Sequence, residues 1–374
     1  MSDFLVVGAG AIGMLTALAL RARGYAVTLL DRQAAGQESS WAGGGILSPL
    51  YPWHYSAAVN ALAQRSQQLY PALVERLREE TGVDPELLHS GLLMLDDVAS
   101  QDASLGQDVE PLAWARLQGV ILQRVAAADV PMLQTGIAHG RDGAWWMPEV
   151  MQIRNPRLLR ALRQALDVHG VRLLERVELQ ALAVTAGRVQ GVRVNGQDMP
   201  ADALVLTAGA WSAHVLQQLG LARADAPAIE PVRGQMMVLN APQSGLQRIV
   251  MAEGRYLIPR KDGRVLVGST VEYAGFEKLT SEAARESLHS FALRLCPALA
   301  GAPIEAHWAG LRPGSPQGIP YIGGHPDITG LFVHAGHFRN GLVMGPASTE
   351  LLLQLIETEV TTLHASAYAW DALR

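Results

Sequence analysis

The sequence predicts a chain of class α/β plus α+β: an open, mostly parallel sheet with crossover helices, and an antiparallel sheet inserted into it in pieces. Three observations predict this. A strand–glycine turn–helix–strand unit fills residues 1–31. The βα alternation resumes after residue 155 and again near the C-terminal end. Between them, residues 231–274 read as short strands separated by turns.

The first unit is the most informative. Phe4-Leu5-Val6-Val7 is a short apolar run of the kind shown by a strand buried on both faces. Gly8-Ala9-Gly10-Ala11-Ile12-Gly13 follows at once, Met14 to Arg23 has apolar residues at helical spacing, and Gly24 supplies the stop. Val27-Thr28-Leu29-Leu30 is the second strand, with Asp31 at its C-terminal end. In such a unit Gly8 serves the tight turn, Gly10 lets the backbone approach a pyrophosphate, and Gly13 lets helix and strand pack closely. The phosphates then face the free N–H groups of the helix N-terminus. Asp31, eighteen residues past Gly13, can accept from ribose hydroxyls and would repel a 2′-phosphate. A lone glycine-rich turn is common, but strand, helix, second strand and terminal acid in this order predict a bound dinucleotide. The motif does not separate a flavin from a nicotinamide.

Composition narrows the class. A chain of 374 residues suits two domains. A net charge of −5 without any lysine/arginine block argues against a nucleic-acid partner. The single cysteine, Cys296, excludes an internal disulfide and a cysteine-built metal site, and its place at the end of an apolar helical pattern predicts core packing. No metal is expected. The chain enters its first strand within three residues without a basic leader, and the helix after Gly13 carries Arg21 and Arg23 and is too short to cross a bilayer. A cytoplasmic protein with no membrane partner is the expectation.

The remaining elements follow in order. Ser39-Ser40-Trp41-Ala42-Gly43-Gly44-Gly45-Ile46-Leu47 reads as a second backbone cradle for phosphate or a flat ring, the alternative being a surface loop. Residues 60–80 carry a helical pattern and Gly91 to Leu95 a strand. Residues 97–135 have helical stretches around 111–117 and 123–128 but no legible chemistry. Ala144-Trp145-Trp146-Met147 reads as a strand with packing tryptophans. Asn155-Pro156 reads as an N-cap followed by proline at the first helical position, opening a helix to about Val168. Val171 to Leu174 is a strand and residues 177–200 a small antiparallel meander. Leu204 to Thr207 returns to the parallel sheet and opens onto Ala208-Gly209-Ala210-Trp211-Ser212, at the strand end where open sheets bind ligands. Strands are expected at Val232 to Leu239, Tyr256 to Pro259 and Val265 to Val271, then a helix from about Ser281 to Leu295. His307 to Pro313 reads as a connection back to the first domain, holding Arg312 in a rigid turn between Gly310 and Pro313-Gly314. Leu331 to His334 is the last strand, feeding Ala335-Gly336-His337-Phe338-Arg339-Asn340-Gly341 and a final helix to about Ile356.

At this point the chain resembles the FAD-dependent D-amino-acid oxidase superfamily, and within it the glycine oxidases of thiamine biosynthesis. The resemblance covers nearly the whole chain. It is carried by the first fingerprint, Ser39 to Gly45, Thr207 to Ser212, Pro231-Val232-Arg233-Gly234-Gln235, Tyr256-Leu257-Ile258-Pro259-Arg260 with Gly263-Arg264, Trp308-Ala309-Gly310-Leu311-Arg312-Pro313-Gly314, Pro320-Tyr321-Ile322-Gly323, and Gly336 to Gly341. It implies a Rossmann-like FAD-binding domain (1–86, 145–215 and 302–374) and a discontinuous antiparallel-sheet substrate-binding domain (87–144 and 216–301). It implies FAD contacts from Ala11, Ile12, Asp31, Arg32, Ser39, Ser40, Gly44, Gly45, Ile46 and Leu179, to which the fingerprint adds Gly8, Gly10 and Gly13 and the turn after Thr207 adds Gly209 and Trp211. The turn His337, Phe338, Arg339, Asn340, Gly341, Leu342 and Val343 would hold the isoalloxazine end. Leu311, Arg312 and Ser315 stand where some relatives attach flavin through a cysteine, so non-covalent FAD is expected. Arg312 would bind the substrate carboxylate, with Tyr256 and Arg339 lining the site. The implied reaction is oxidative deamination of glycine by hydride transfer to flavin, with dioxygen as acceptor and the imine available to a thiazole-synthesis partner. The alternative is a sarcosine or small D-amino-acid oxidase or dehydrogenase. A homo-oligomer is expected.

Physical chemistry bears on these roles separately. An amino acid bound without a metal needs a fixed cation, and arginine's planar fork offers two parallel hydrogen bonds and a charge that is not lost. An arginine more often makes a surface ion pair, but the apolar sequence around Arg312 favours the ligand role. Tyr256 reads equally as a core tyrosine. His337 reads as a cofactor contact or a base, and no residue is assigned proton transfer. Gly254 and Val271, both small, predict a pocket that admits substrates slightly larger than glycine.

Overall fold

The computed structural model describes residues 3–95, 109–138, 142–222 and 226–372; the expectations for residues 97–108 fall outside them. Two large sheets organise the chain. The first has six strands in the order Tyr321–Gly324, Leu331–Ala335, Ala203–Leu206, Asp3–Val7, Ala26–Asp31 and Arg172–Glu175. The last five are parallel to one another, and Tyr321–Gly324 is the antiparallel edge. Asp3–Val7 alternates as a strand with both faces covered must. Phe4 and Val6 join the core under the helices, while Leu5 and Val7 join the core under the meander of Leu179–Thr185, Arg188–Val194 and Gln197–Pro200. Because these strands run parallel, the chain turns after Val7, Asp31, Leu206 and Ala335 all open at one sheet edge, the one formed by the strands' C-terminal ends.

The second sheet has eight strands in the order Ile304–Gly314, Glu230–Asn240, Arg264–Gly268, Arg255–Pro259, Ile249–Ala252, Leu92–Leu95, Ala144–Met147 and Gln123–Val125. One face packs on the helix Glu282–Leu295, and Cys296 is fully buried in that core. The other face, with Met236, Tyr256 and Ile258, turns toward the first sheet.

Several elements differ from the sequence reading. Residues 123–128 are not helical: Gln123–Val125 is an edge strand on Ala144–Met147, followed by a short 3-10 turn, because pairing at a sheet edge outweighs a weak helical pattern. Asn155 lies inside its helix rather than capping it, and its side chain instead donates to the Ser40 carbonyl at 2.8 Å. The strand that starts at Arg264 ends at Gly268, so Ser269 to Val271 leave the ladder. The segment around Arg312 is no turn back to the first domain. It is the long strand Ile304–Gly314, paired along its length with Glu230–Asn240. Strand membership therefore places 304–314 and 144–147 with the second sheet, unlike the sequence boundaries at 302 and 145.

The last helix, Gly341–Ile356, contains Pro346, which has no N–H to give to the Leu342 carbonyl four residues back. The long helix Ala57–Thr81 repairs the gap. Tyr70 Oη donates to Leu342 O at 2.5 Å, and the next N–H, of Ala347, donates to Ser66 Oγ at 2.9 Å. Tyr70 is fully buried, and burial pushes its phenol above the ordinary tyrosine range, keeping the proton on. Replacing Tyr70 with Phe leaves a buried carbonyl without a donor. The expected loss is about 1–3 kcal/mol of unfolding free energy, read as a lower urea midpoint; an unchanged midpoint would contradict the repair.

Candidate active site

One large cavity lies where the open edge of the first sheet meets the second sheet. Every site residue named from the sequence lines it except Gly13. Gly13 does structural work: a Cβ there would stand 1.8 Å from the Gly8 carbonyl oxygen, so nothing larger lets the first helix close on the turn. Thr207 Oγ1 donates to this turn, lying 2.9 Å from Val7 O and 2.8 Å from Gly8 O. The N-cap residue of the helix Ala11–Ala22, Gly10, offers no side-chain cap, and among the described residues a side chain takes the Ala11 N–H alone, Ser40 Oγ at 3.0 Å. Its open N-terminus thus aims donors and partial positive charge into the cavity.

Asp31 has a second task beside any ribose. Its Oδ2 accepts from Ala9 N at 2.7 Å and its Oδ1 from Gln33 N at 2.8 Å, pinning the glycine turn. Burial lifts its carboxyl above the ordinary value, against those donors. Arg32 lies over the Trp211 ring at 4.1 Å.

The Ser39–Gly45 segment is a short helix, Ser39–Ala42, followed by the glycines, and it is fixed from behind. Arg260 Nη2 donates to Gly44 O at 2.8 Å, while its Nη1 reaches Gln152 Oε1 at 2.7 Å and Ile153 O at 3.1 Å. Trp308 Nε1 donates to Ala42 O at 3.0 Å. Burial pushes the Arg260 guanidinium down to about 10. In the sequence Arg260 shows no role beyond its place after Tyr256-Leu257-Ile258-Pro259, and its one signal is an arginine closing an apolar strand.

The C-terminal turn enters from the other side. His337 is buried and its Nε2 lies 3.1 Å from Ser348 Oγ, whose own proton goes to Gly345 O at 3.0 Å. Nε2 therefore carries the proton and the ring is neutral, with burial holding its pKa down to about 3. Asn340 is buried, lines the cavity, and its Nδ2 has no partner among the described residues. The helix after it also lacks a side-chain cap.

Arg312 and Tyr256 face the cavity from the second sheet. The Arg312 guanidinium donates from Nη1 to Thr270 O at 3.1 Å and Arg233 O at 3.3 Å, and from Nη2 to Ser269 Oγ at 2.8 Å. All three acceptors are neutral oxygens. No carboxylate among the described residues forms an ion pair with it. Burial, helped by the charge of Arg339, lowers its pKa from the ordinary value, while the Tyr256 and Tyr55 hydroxyls work the other way. Gly234, diagonal to Arg312 across the ladder, makes the seat: a Cβ there would lie 2.2–2.4 Å from the guanidinium atoms. Tyr256 packs similarly over Gly268, whose Cβ would fall 2.6 Å from the ring, and its hydroxyl lies 3.8 Å from Met236 Sδ. Among the described residues no cluster of His, Cys, Asp and Glu is placed to hold a metal, and no helix is long and apolar enough to cross a membrane.

The site can thus hold an elongated, phosphate-bearing group along two open helix N-termini and an anion against a half-buried guanidinium. The chain is also similar to known proteins. The family described as FAD dependent oxidoreductase matches residues 3–355. A glycine oxidase of Pseudomonas putida is 47% identical over 370 residues, covering 98% of this chain and 97% of that one. A bifunctional protein ThiO/ThiG of Synechocystis is 32% identical over 362 residues, covering 95% of this chain and 51% of the relative. The crystal structure of glycine oxidase from Geobacillus kaustophilus superimposes with a TM-score of 0.90 at 28% identity, over the full length of both chains.

Because Gly234 leaves the room that the guanidinium fills, Gly234→Ala should displace it. Calorimetric affinity for acetate, a minimal carboxylate, is expected to fall about tenfold or more with bound FAD retained. Unaltered acetate binding would remove the guanidinium from the anion site.

Proposed function

The chain belongs to the FAD-dependent oxidoreductase family, and we propose that it is the member that oxidises glycine to glyoxylate and ammonia with dioxygen as acceptor. Overall, glycine, dioxygen and water become glyoxylate, ammonia and hydrogen peroxide. The observation that carries this reading is the half-buried guanidinium of Arg312, hydrogen-bonded among the described residues to neutral oxygens, in a cavity shared with a nucleotide cradle.

The residues present fit FAD. The open N-terminus at Ala11 suits the pyrophosphate, Asp31 the ribose, and the Ser39–Gly45 cradle and the turn 337–343 the remainder. The unpartnered Asn340 Nδ2 is a donor awaiting such a group. When bound, FAD supplies the two-electron acceptor that the side chains of this chain lack. The protein's own part is orientation. Arg312 takes the substrate carboxylate with its fork, which fixes the direction of the Cα–H bond. Arg339, which lines the same cavity, adds a second positive charge to the field. His337, neutral and engaged with Ser348, leaves proton removal from the amine to solvent.

A second reading within the same fold is favoured by one observation. Gly254 and Val271 line the cavity, so the wall facing the substrate is short-chained there, which suits sarcosine or a small D-amino acid. The relative named ThiO/ThiG supports a further step, in which the imine formed from glycine feeds the thiazole of thiamine.

Peroxide release measured across glycine, sarcosine and D-alanine tests the choice: glycine should give the highest kcat/KM, and reduction of dyes without oxygen consumption would contradict dioxygen as acceptor. Arg312→Ala should remain yellow while KM for glycine rises about thirtyfold or more, the equivalent of roughly 2 kcal/mol of lost recognition. Unchanged kinetics would take Arg312 out of the site. His337→Asn should leave the pH profile of kcat/KM in place, because a ring held neutral down to about pH 3 contributes no limb near neutrality; a lost limb would assign it proton transfer.

A further inference from the structure

Arg312 is half-buried and forms no ion pair with a carboxylate among the described residues, so something else must hold its fork in register. Its three acceptors come from two segments, Arg233 on the strand Glu230–Asn240 and Ser269-Thr270 beyond the end of the strand Arg264–Gly268. The regular ladder between these strands stops at Met236 opposite Gly268. Past that point the two segments are joined by main-chain bonds at three places: Thr270 N to Gln235 O at 3.2 Å, Glu272 N to Arg233 O at 2.9 Å, and Arg233 N to Glu272 O at 2.8 Å.

The Glu272 carboxylate closes the same junction with side chains. Its Oε2 accepts from Arg233 Nη2 at 2.7 Å and Nε at 3.0 Å. Its Oε1 accepts from Gln235 Nε2 at 2.9 Å and from the Thr270 hydroxyl. Thr270 Oγ1 in turn accepts from Gln235 N at 2.9 Å. These bonds hold the Glu272 carboxyl below its ordinary value against the opposing effect of burial. Every residue that lends a carbonyl to Arg312 is therefore gripped by this one carboxylate.

We infer that Glu272 is a positioning residue that aims the Arg312 fork by fixing the Arg233 and Thr270 carbonyls, while spending its own charge on Arg233. The inference rests on the reading of Arg312 as the carboxylate anchor. Its chemical sense is a division of labour. A carboxylate placed directly on Arg312 would compete with the substrate for the fork. Set behind Arg233, it stiffens the seat and leaves the cation uncompensated.

The test uses the FAD-loaded protein in four forms: unaltered, Glu272→Gln, Arg312→Ala and the double variant. KM and kcat for glycine, and the dissociation constant of acetate from the change in flavin absorbance, are read for each. Glu272→Gln keeps the shape and removes the charge. It is expected to raise KM and the acetate constant about tenfold, with kcat falling less than KM rises, and to add no further loss in the Arg312→Ala background. If Glu272→Gln fails to fold, Thr270→Val removes one of the hydroxyl links and should give a smaller loss with the same non-additivity. An effect that persists in full without Arg312 overturns the positioning role. Normal acetate binding in Glu272→Gln beside weakened binding in Arg312→Ala also overturns it, and leaves the anchor reading standing. Normal acetate binding in Arg312→Ala overturns both.

Discussion

A guanidinium partly withdrawn from water without a carboxylate partner is costly, and the second sheet of this protein is arranged around keeping one in that condition. Arg312 stands on a long strand, over a glycine that yields its side-chain volume, with its hydrogen bonds confined to two carbonyls and a hydroxyl. Neutral oxygens satisfy the N–H geometry but leave the charge unbalanced. An anion that enters the cavity completes the balance, so binding and electrostatic relief are the same event. The direction of the substrate then follows from which face of the cavity carries the cation.

The first sheet meets a parallel need at the other end of the site. At its helix N-termini, Ala11 and Gly341, the N-cap residues make no side-chain cap, although such caps are the ordinary means of satisfying these N–H groups. The cost is offset behind the cavity wall: Asp31 and Thr207 brace the glycine turn, Arg260 and Trp308 brace the Gly43–Gly45 loop, and Tyr70 and Ser66 mend the proline break in the last helix. The donors that face the cavity are left open while the groups behind them hold the cavity wall in place.

Much of this was legible in the residues. The nucleotide half declares itself because its local signals agree: the glycine spacing, the helix stop at Gly24 and the acid at Asp31 all describe one unit. The second half was harder. Arg312 was expected in a turn because Gly310 and Pro313-Gly314 flank it, and flanking glycine and proline are turn signals. In the strand those glycines serve close approach instead, Gly310 against Ala42 and Gly314 against Val232. Edge pairing at Gln123–Val125 was missed for a similar reason, since its partner is about twenty residues away. The braces, Arg260, Glu272 and Tyr70, act across long sequence separations, and one sequence offers no period or motif that joins such partners.

The most direct measurement is the position of a bound carboxylate in a crystal of the FAD-loaded protein grown with acetate. The account predicts both carboxylate oxygens within hydrogen-bonding distance of the Arg312 guanidinium, whose contacts to Arg233, Ser269 and Thr270 persist. A carboxylate found elsewhere in the cavity, with Arg312 still held by those three residues alone, would contradict it.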